Sequence, residues 1–221
     1  MPIKSLFFAL FLLVCYAGSN AQTVKKSLEM RRCPEPPAID GKLDDNCWNQ
    51  AAVLKDFIQY QPYNGELPKL KTEVKVVFDD QAIYFGAMMY DPQPDSIVKT
   101  LAKRDIGPDD NADMIIVVLG PYNDGINTNL FCVSASGVQS DIKTTSSSND
   151  VNWDAVWKSE VRKVDSGWVA ELKIPFSELR FSKQEVQNWA GNFYRKVNRY
   201  NVWSTWSFVD YKIEGHANQT G

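Results

Sequence analysis

The sequence predicts an all-β fold: one antiparallel β-sandwich of jelly-roll type, preceded by a signal peptide. Three observations predict it. Apolar residues recur at every second position through much of the chain, which is the spacing of a half-buried strand. Polar or glycine-bearing turns separate these stretches at short intervals, as in sandwiches assembled from hairpins. No stretch carries a sustained apolar stripe of helical period, which excludes a helical bundle.

The elements follow in order. Lys4 precedes the apolar run 6–15, and Ser19-Asn20-Ala21 supplies the small residues of a cleavage site. The run is shorter than the ~20 residues a bilayer span needs, so residues 1–21 read as an export signal. A lipoprotein reading at Cys15 meets the bulky Val14. Residues 22–33 form a lead-in, 34–210 the sandwich, and 211–221 the start of a linker.

Within the sandwich, residues 72–79 alternate, with Val74, Val76 and Phe78 on one face and Glu73 and Lys75 on the other. A turn at Asp79-Asp80-Gln81 returns the chain through 82–90, a predicted hairpin. Residues 114–119 are a continuous apolar run ended by Gly120-Pro121, suited to the middle of a sandwich. Strands over 127–134 and 138–143 are joined at Ser136-Gly137. Residues 157–164 and 168–174 flank Asp165-Ser166-Gly167 and read as a second hairpin, with Trp168, Ala170, Leu172 and Ile174 on one face. One helical turn is predicted over 175–179 with Pro at its first position, followed by strands over 189–198 and 200–207.

Charge and composition narrow the function. Lys and Arg number 24 against 27 Asp and Glu, a net charge of −3, so there is no general attraction for nucleic acid. The single histidine, His216, lies in a polar tail, which argues against a Ser-His-Asp triad or a two-His zinc site. After the signal, Cys33, Cys47 and Cys132 remain. The first two could staple the N-terminal segment, while Cys132 reads as a small core residue.

Pro37-Ala38-Ile39-Asp40-Gly41-Lys42-Leu43-Asp44-Asp45-Asn46-Cys47-Trp48, followed by Ala51, resembles the opening of the family 9 carbohydrate-binding modules. The resemblance continues in order through Ile83-Tyr84-Phe85-Gly86, Asp109-Asp110 with Asp113, Trp153-Asp154-Ala155-Val156-Trp157, residues 167–176 and Leu179-Arg180-Phe181. It covers roughly residues 34–210. Trp189 to Arg195 and Arg199 are similar to a subgroup of Bacteroidetes type, although Ala190 and Gly191 depart from its usual Trp-Gly start. In that subgroup the module precedes a C-terminal region resembling an outer-membrane β-barrel, which implies that such a region follows Gly221.

The resemblance implies an exported module that binds a saccharide between aromatic rings and serves polysaccharide catabolism within a larger protein. The alternative is a cap domain of an outer-membrane barrel that binds no sugar. Trp189, Trp203 and Trp206 are the aromatic candidates, for an indole face stacks on the C–H face of a sugar ring. Trp203 and Trp206, among Asn201, Ser204, Thr205 and Ser207, suit exposure and burial equally. Trp48 and Trp168 read as core. Arg104 with Asp105, Arg195 and Arg199 are the polar candidates, since a guanidinium offers a planar fork of donors; internal pairing with Asp105 or Asp113 is the competing role. Family resemblance also implies structural Ca²⁺, for which Asp79, Asp80, Asp91 and Asp113 are candidate ligands. Each also suits an ordinary turn. No Glu-x-Asp-x-x-Glu strand of the small glycanases is present, and the family's link to glycoside hydrolases comes from attached domains.

Overall fold

A computed structural model describes residues 26–105, 111–145 and 148–212. The expected signal peptide, His216, Asp109, Asp110 and most of the linker lie outside the described residues.

The strands are β1 (Arg31–Arg32), β2 (Ala52–Leu54), β3 (Ile58–Gln61), β4 (Thr72–Phe78), β5 (Ala82–Tyr90), β6 (Met114–Gly120), β7 (Thr128–Ser134), β8 (Gln139–Thr144), β9 (Asn149–Asp150), β10 (Lys158–Val164), β11 (Gly167–Pro175), β12 (Ala190–Val197) and β13 (Val202–Thr205). One short helix, α1, spans Asn46–Gln50. The first sheet runs β1-β4-β5-β11-β10, with β2 also on β4; the second runs β3-β13-β12-β6-β7-β8-β9. All pairings are antiparallel except β1 with β4. This is the antiparallel β-sandwich that the alternation predicts.

The two sheets meet through their inward rows. Val74 and Val76 of β4, Ile83, Phe85 and Met89 of β5, and Trp168, Leu172 and Ile174 of β11 face Ile115, Val117 and Leu119 of β6, Phe131 of β7 and Phe193 of β12. Burying each such side chain contributes about 1.5–3 kcal/mol. Strand β6 is buried along its whole length because it sits between β12 and β7 under side chains on both faces. At the edge, β10 alternates exposed Lys158, Glu160 and Arg162 with half-buried Ser159 and Val161.

The outer face of the first sheet is covered by the N-terminal segment, which periodicity could not foresee. Trp48 of α1 lies fully buried over Tyr84 and Val77, with Cys33 and Cys47 beside it. Gly86 makes room: a Cβ there would stand 2.5 Å from Leu43 and 3.2 Å from the Trp48 ring. Glu171, placed by alternation on the solvent side of β11, is buried beneath this cover. Its carboxylate accepts hydrogen bonds from the backbone N–H of Asp40 (3.0 Å), Gly41 (2.8 Å) and Lys42 (3.2 Å) and from Trp48 Nε1 (2.9 Å). Burial pushes its carboxyl up, and the four donors oppose that rise; a ring of donors with no acceptor suits the carboxylate form. Gly41 makes this turn at φ +80°, where a Cβ would also press on Arg162 at 3.0 Å.

Candidate functional site

The residues singled out from the sequence do not converge on one groove. Arg195 shares the inward face of β12 with Phe193 and Val197 and is fully buried. Its Nη1 donates to the carbonyl of Lys71 (2.7 Å) and to Thr72 Oγ1 (3.3 Å), and its Nη2 to the carbonyl of Tyr90 (2.9 Å). Burial lowers its guanidinium to about 10, against the pull of Asp113 and Asp91. The expected role of Arg195 in presenting a fork to a ligand is therefore corrected: its fork joins the two sheets.

Arg199 does not continue the strand. It lies in a 3-10 turn, Asn198–Tyr200, and grips buried Asp91 with two bonds, Nη1 to Oδ2 at 2.6 Å and Nη2 to Oδ1 at 2.8 Å. The partner is Asp91 rather than Asp105 or Asp113. Arg104 is likewise engaged: it donates to Asp141 (2.8 Å), Asp154 (2.9 Å), the carbonyl of Ala155 (2.9 Å) and Gln139 (3.0 Å), with Asp105 at 3.5 Å from its Nε. It fastens its loop to β8 and leaves little donor capacity for a ligand.

The tryptophans disperse as well. Trp206 is buried against Phe193 at a centroid distance of 6.1 Å, which removes its face from solvent. Trp189 is half-buried in a cluster with Phe181 (5.3 Å) and Phe176 (6.0 Å). Trp203 is half-buried on the outer face of the second sheet, beside Tyr194 and the apolar row of Met114, Ile116, Val118 and Cys132, with Lys196 Nζ 5.5 Å from its ring centre.

The four carboxylates named for a metal cannot share one ion. Asp79 and Asp80 precede β5 and Asp91 follows it, and a nine-residue strand sets its ends about 27 Å apart. Asp79 accepts from Gln81 N, Ala82 N and the Tyr84 hydroxyl, Asp80 pairs with Arg32, and Asp113 accepts from Asn198 N at 2.9 Å. Among the described residues no three His, Cys, Asp or Glu side chains gather as a metal site.

A cleft of about 460 Å³ opens instead at one end of the sandwich, between the β6–β7 turn, β8, the segment before β10 and the turn after β11. That volume lies within the ~300–1,000 Å³ of small-molecule sites. Asn129 of β7 and Lys143 of β8 are direct cross-strand partners and line it. They continue the inward row that Phe131 begins, so the row turns from apolar to polar where the sheets part.

Each wall has a local cause. Asp124 closes the β6–β7 turn by accepting from Ile126 N (2.9 Å) and Asn127 N (2.8 Å), an Asx turn that leaves Tyr122 half exposed. The opposite wall is Trp153. Its segment is pinned by buried Asp141, which accepts from Ala155 N (2.6 Å) and Trp157 Nε1 (3.1 Å), and the Trp153 ring meets Phe131 edge-on at 5.7 Å. The 3-10 turn Phe176–Glu178 brings Glu178, whose Oε2 accepts from Val156 N at 3.2 Å, and Arg180 follows.

Among the described residues, neither Lys143 Nζ nor the Arg180 guanidinium has an ion pair or hydrogen bond within the protein. Half-buried indole, exposed phenol, amide, carboxylate and two unengaged cations around one hollow can stack on a ring and bond its hydroxyls. Sequence reasoning missed this grouping because its members come from four separated elements; Trp153, an indole in a polar stretch, is the one local signal.

A family model described as "Carbohydrate family 9 binding domain-like" matches residues 39–199. Among solved structures, a family 9 carbohydrate-binding module from Caldicellulosiruptor kristjanssonii in complex with cellotriose is similar at 17% identity and TM-score 0.57, covering 86% of this chain and 88% of that one. The same organism's module in complex with glucose gives 16% identity and TM-score 0.58 at the same coverage. A proposed carbohydrate-binding protein from Bacteroides uniformis ATCC 8492 gives 15% identity and TM-score 0.64, covering 86% and 93%. No curated protein matches. The structural likenesses carry the fold, and the family match spans most of the sandwich: the chain belongs to the carbohydrate family 9 binding domain-like family.

Proposed function

We propose that the protein is an exported carbohydrate-binding module that takes a saccharide in the cleft between Tyr122 and Trp153. The observation that carries this reading is the pairing of a half-buried indole wall with unengaged Lys143 and Arg180 across a hollow of sugar-ring scale. Similar folds bound to glucose and cellotriose support the ligand class. Trp153 supplies the stacking face, Asn129 and Glu178 fix hydroxyl orientation, and the two cations donate to hydroxyl or carboxylate oxygens.

Export rests on the apolar run 6–15 and the small residues before Gln22. Service in polysaccharide catabolism, with a barrel-like region following, belongs to the same proposal and rests on the subgroup resemblance.

The test is a glycan-array screen of residues 22–221, followed by titration calorimetry with glucose, cellotriose and each array hit. Saturable binding that Trp153→Ala weakens about tenfold or more supports the reading. Absence of binding to any glycan, or binding that Trp153→Ala leaves unchanged, overturns it. Expression of the full chain in a Gram-negative host tests export: a mature N-terminus at Gln22 in the periplasm is the expected product, and an uncleaved cytoplasmic chain is the contrary result.

A further inference from the structure

The outer face of the first sheet holds two cysteines that the proposed saccharide site does not use. Cys33 directly follows β1, and its N–H donates to the carbonyl of Phe78 at 2.7 Å. Cys47 lies in α1, one residue before Trp48. The two thiols pack in one small cluster with Trp48, Val77, Ala82 and Tyr84 and are both buried, at 3% and 8% exposure. They are free thiols here, the Cys33 thiol donates to the carbonyl of Glu35, and each sulfur lies in the other's electrostatic surroundings within this cluster. The Tyr84 hydroxyl feels both. Cys132 lies on the outer face of the other sheet, in a separate cluster.

We propose that Cys33 and Cys47 are a dithiol–disulfide pair whose oxidation locks the N-terminal cover onto the first sheet. The enclosed segment carries Asp40, Gly41 and Lys42, whose N–H groups hold Glu171, so the cross-link would tie the two ends of that cover together behind its central anchor. The oxidant is a disulfide, either oxidised glutathione or a protein disulfide oxidase. One thiol loses its proton and attacks the oxidant's disulfide, releasing one of its sulfurs as thiolate and leaving a mixed disulfide. The second thiol loses its proton and displaces the remaining oxidant sulfur. Two protons and two electrons leave the protein, and the oxidant ends as two thiols.

Burial sets the timing. It pushes the Cys47 thiol up to about 12, with Cys33 adding to the rise, so the folded protein offers little thiolate for attack. The bond therefore forms while the N-terminal segment is still undocked, and the folded dithiol oxidises slowly.

The experiment uses residues 22–221 carrying Cys132→Ser, refolded with oxidised and reduced glutathione, then alkylated and digested. The expected result is a Cys33–Cys47 cross-linked peptide, a mass 2 Da below the dithiol form, and a melting temperature about 6–12 °C above that of the same protein refolded with dithiothreitol, as closure of a fifteen-residue loop implies. Full alkylation of both cysteines after oxidative refolding overturns the proposal. So does a Cys33–Cys47 bond that lowers the melting temperature. With Cys132 retained, the same cross-linked peptide with Cys132 alkylated is expected; pairing through Cys132 is the contrary result. Oxidising the already folded dithiol at pH 7 should run at least tenfold slower than oxidation during refolding, and equal rates would overturn the assigned timing.

Discussion

Arg195 on β12 donates to the carbonyl of Tyr90 at the end of β5, 2.9 Å away, so a single charged side chain ties one sheet of the sandwich to the other. The same guanidinium reaches the carbonyl of Lys71 just before β4. The Tyr90 carbonyl is thus answered from the opposite layer, and the Lys71 carbonyl, which already accepts from the Tyr90 N–H at 3.0 Å, takes a second donor. A buried cation is costly to desolvate, and what offsets the cost here is the set of three acceptors it holds across the sheets: the Lys71 and Tyr90 carbonyls and Thr72 Oγ1.

Replacing Arg195 with Met removes the donors to Thr72 Oγ1 and the Tyr90 carbonyl and the second donor to the Lys71 carbonyl. We expect a loss of about 3 kcal/mol, read as a fall of roughly 6–12 °C in melting temperature. Arg195→Lys should recover only part, because a point ammonium cannot reproduce the fork. Urea unfolding at neutral pH checks both, and saccharide affinity of the folded variants should stay within about twofold.

Acid stability should depend on Asp91. Burial opposes its ionisation, but the paired bonds from Arg199 and the N–H of Gln93 outweigh it, and the carboxyl ends below its ordinary value. A carboxyl lowered on folding contributes stability that is complete above its unfolded value of ~3.9 and is lost as pH falls through the folded value. Asp113 has the opposite sign: burial raises it, so its contribution is present in acid and lost as pH rises. Asp91→Asn should melt lower than the parent at pH 7, and the gap should narrow as pH falls from about 5 to 2. Calorimetric melting across that range measures it.

The Glu171 anchor predicts local loosening. Glu171→Gln places an amide N–H₂ among four N–H donors, and Gly41→Ala strains a left-handed turn against Arg162. Each should cost about 1–3 kcal/mol. Limited proteolysis should then cut within residues 34–45 at least tenfold faster than in the parent, before the sandwich itself opens.

At the cleft, Trp153→Ala or Tyr122→Ala should lower saccharide affinity by about tenfold, the equivalent of ~1.4 kcal/mol. Lys143→Ala should weaken binding less for neutral than for acidic sugars. Trp203→Ala is the discriminating control: affinity is expected to hold within twofold, and a tenfold loss there would move the site to the outer face of the second sheet. Titration calorimetry separates the cases.

Both hairpins and the buried β6 were legible in the sequence because strand alternation is a local property. The side of the sheet that an isolated charge occupies is less so. Arg195 has the parity of Phe193 and Val197, both buried, and that parity was the available clue to its interior position. Glu171 carried no such clue: its burial comes from a turn about 130 residues earlier in the chain. Helix α1, at five residues, is too short to show a periodic stripe. The cleft was illegible for the same topological reason as Glu171, since Asn129 and Lys143, paired across β7 and β8, meet Trp153 and Glu178 only in the assembled fold.

Strand β10 ends its sheet among the described residues with Lys158, Glu160, Arg162 and Lys163 turned outward. A second molecule trying to extend the ladder there would have to match an alternating row of cations and an anion while stripping their water. Its own identical edge, laid parallel and in register, would set Lys158, Glu160 and Arg162 each against itself. Concentrated preparations should therefore resist parallel, in-register fibrous stacking along this border.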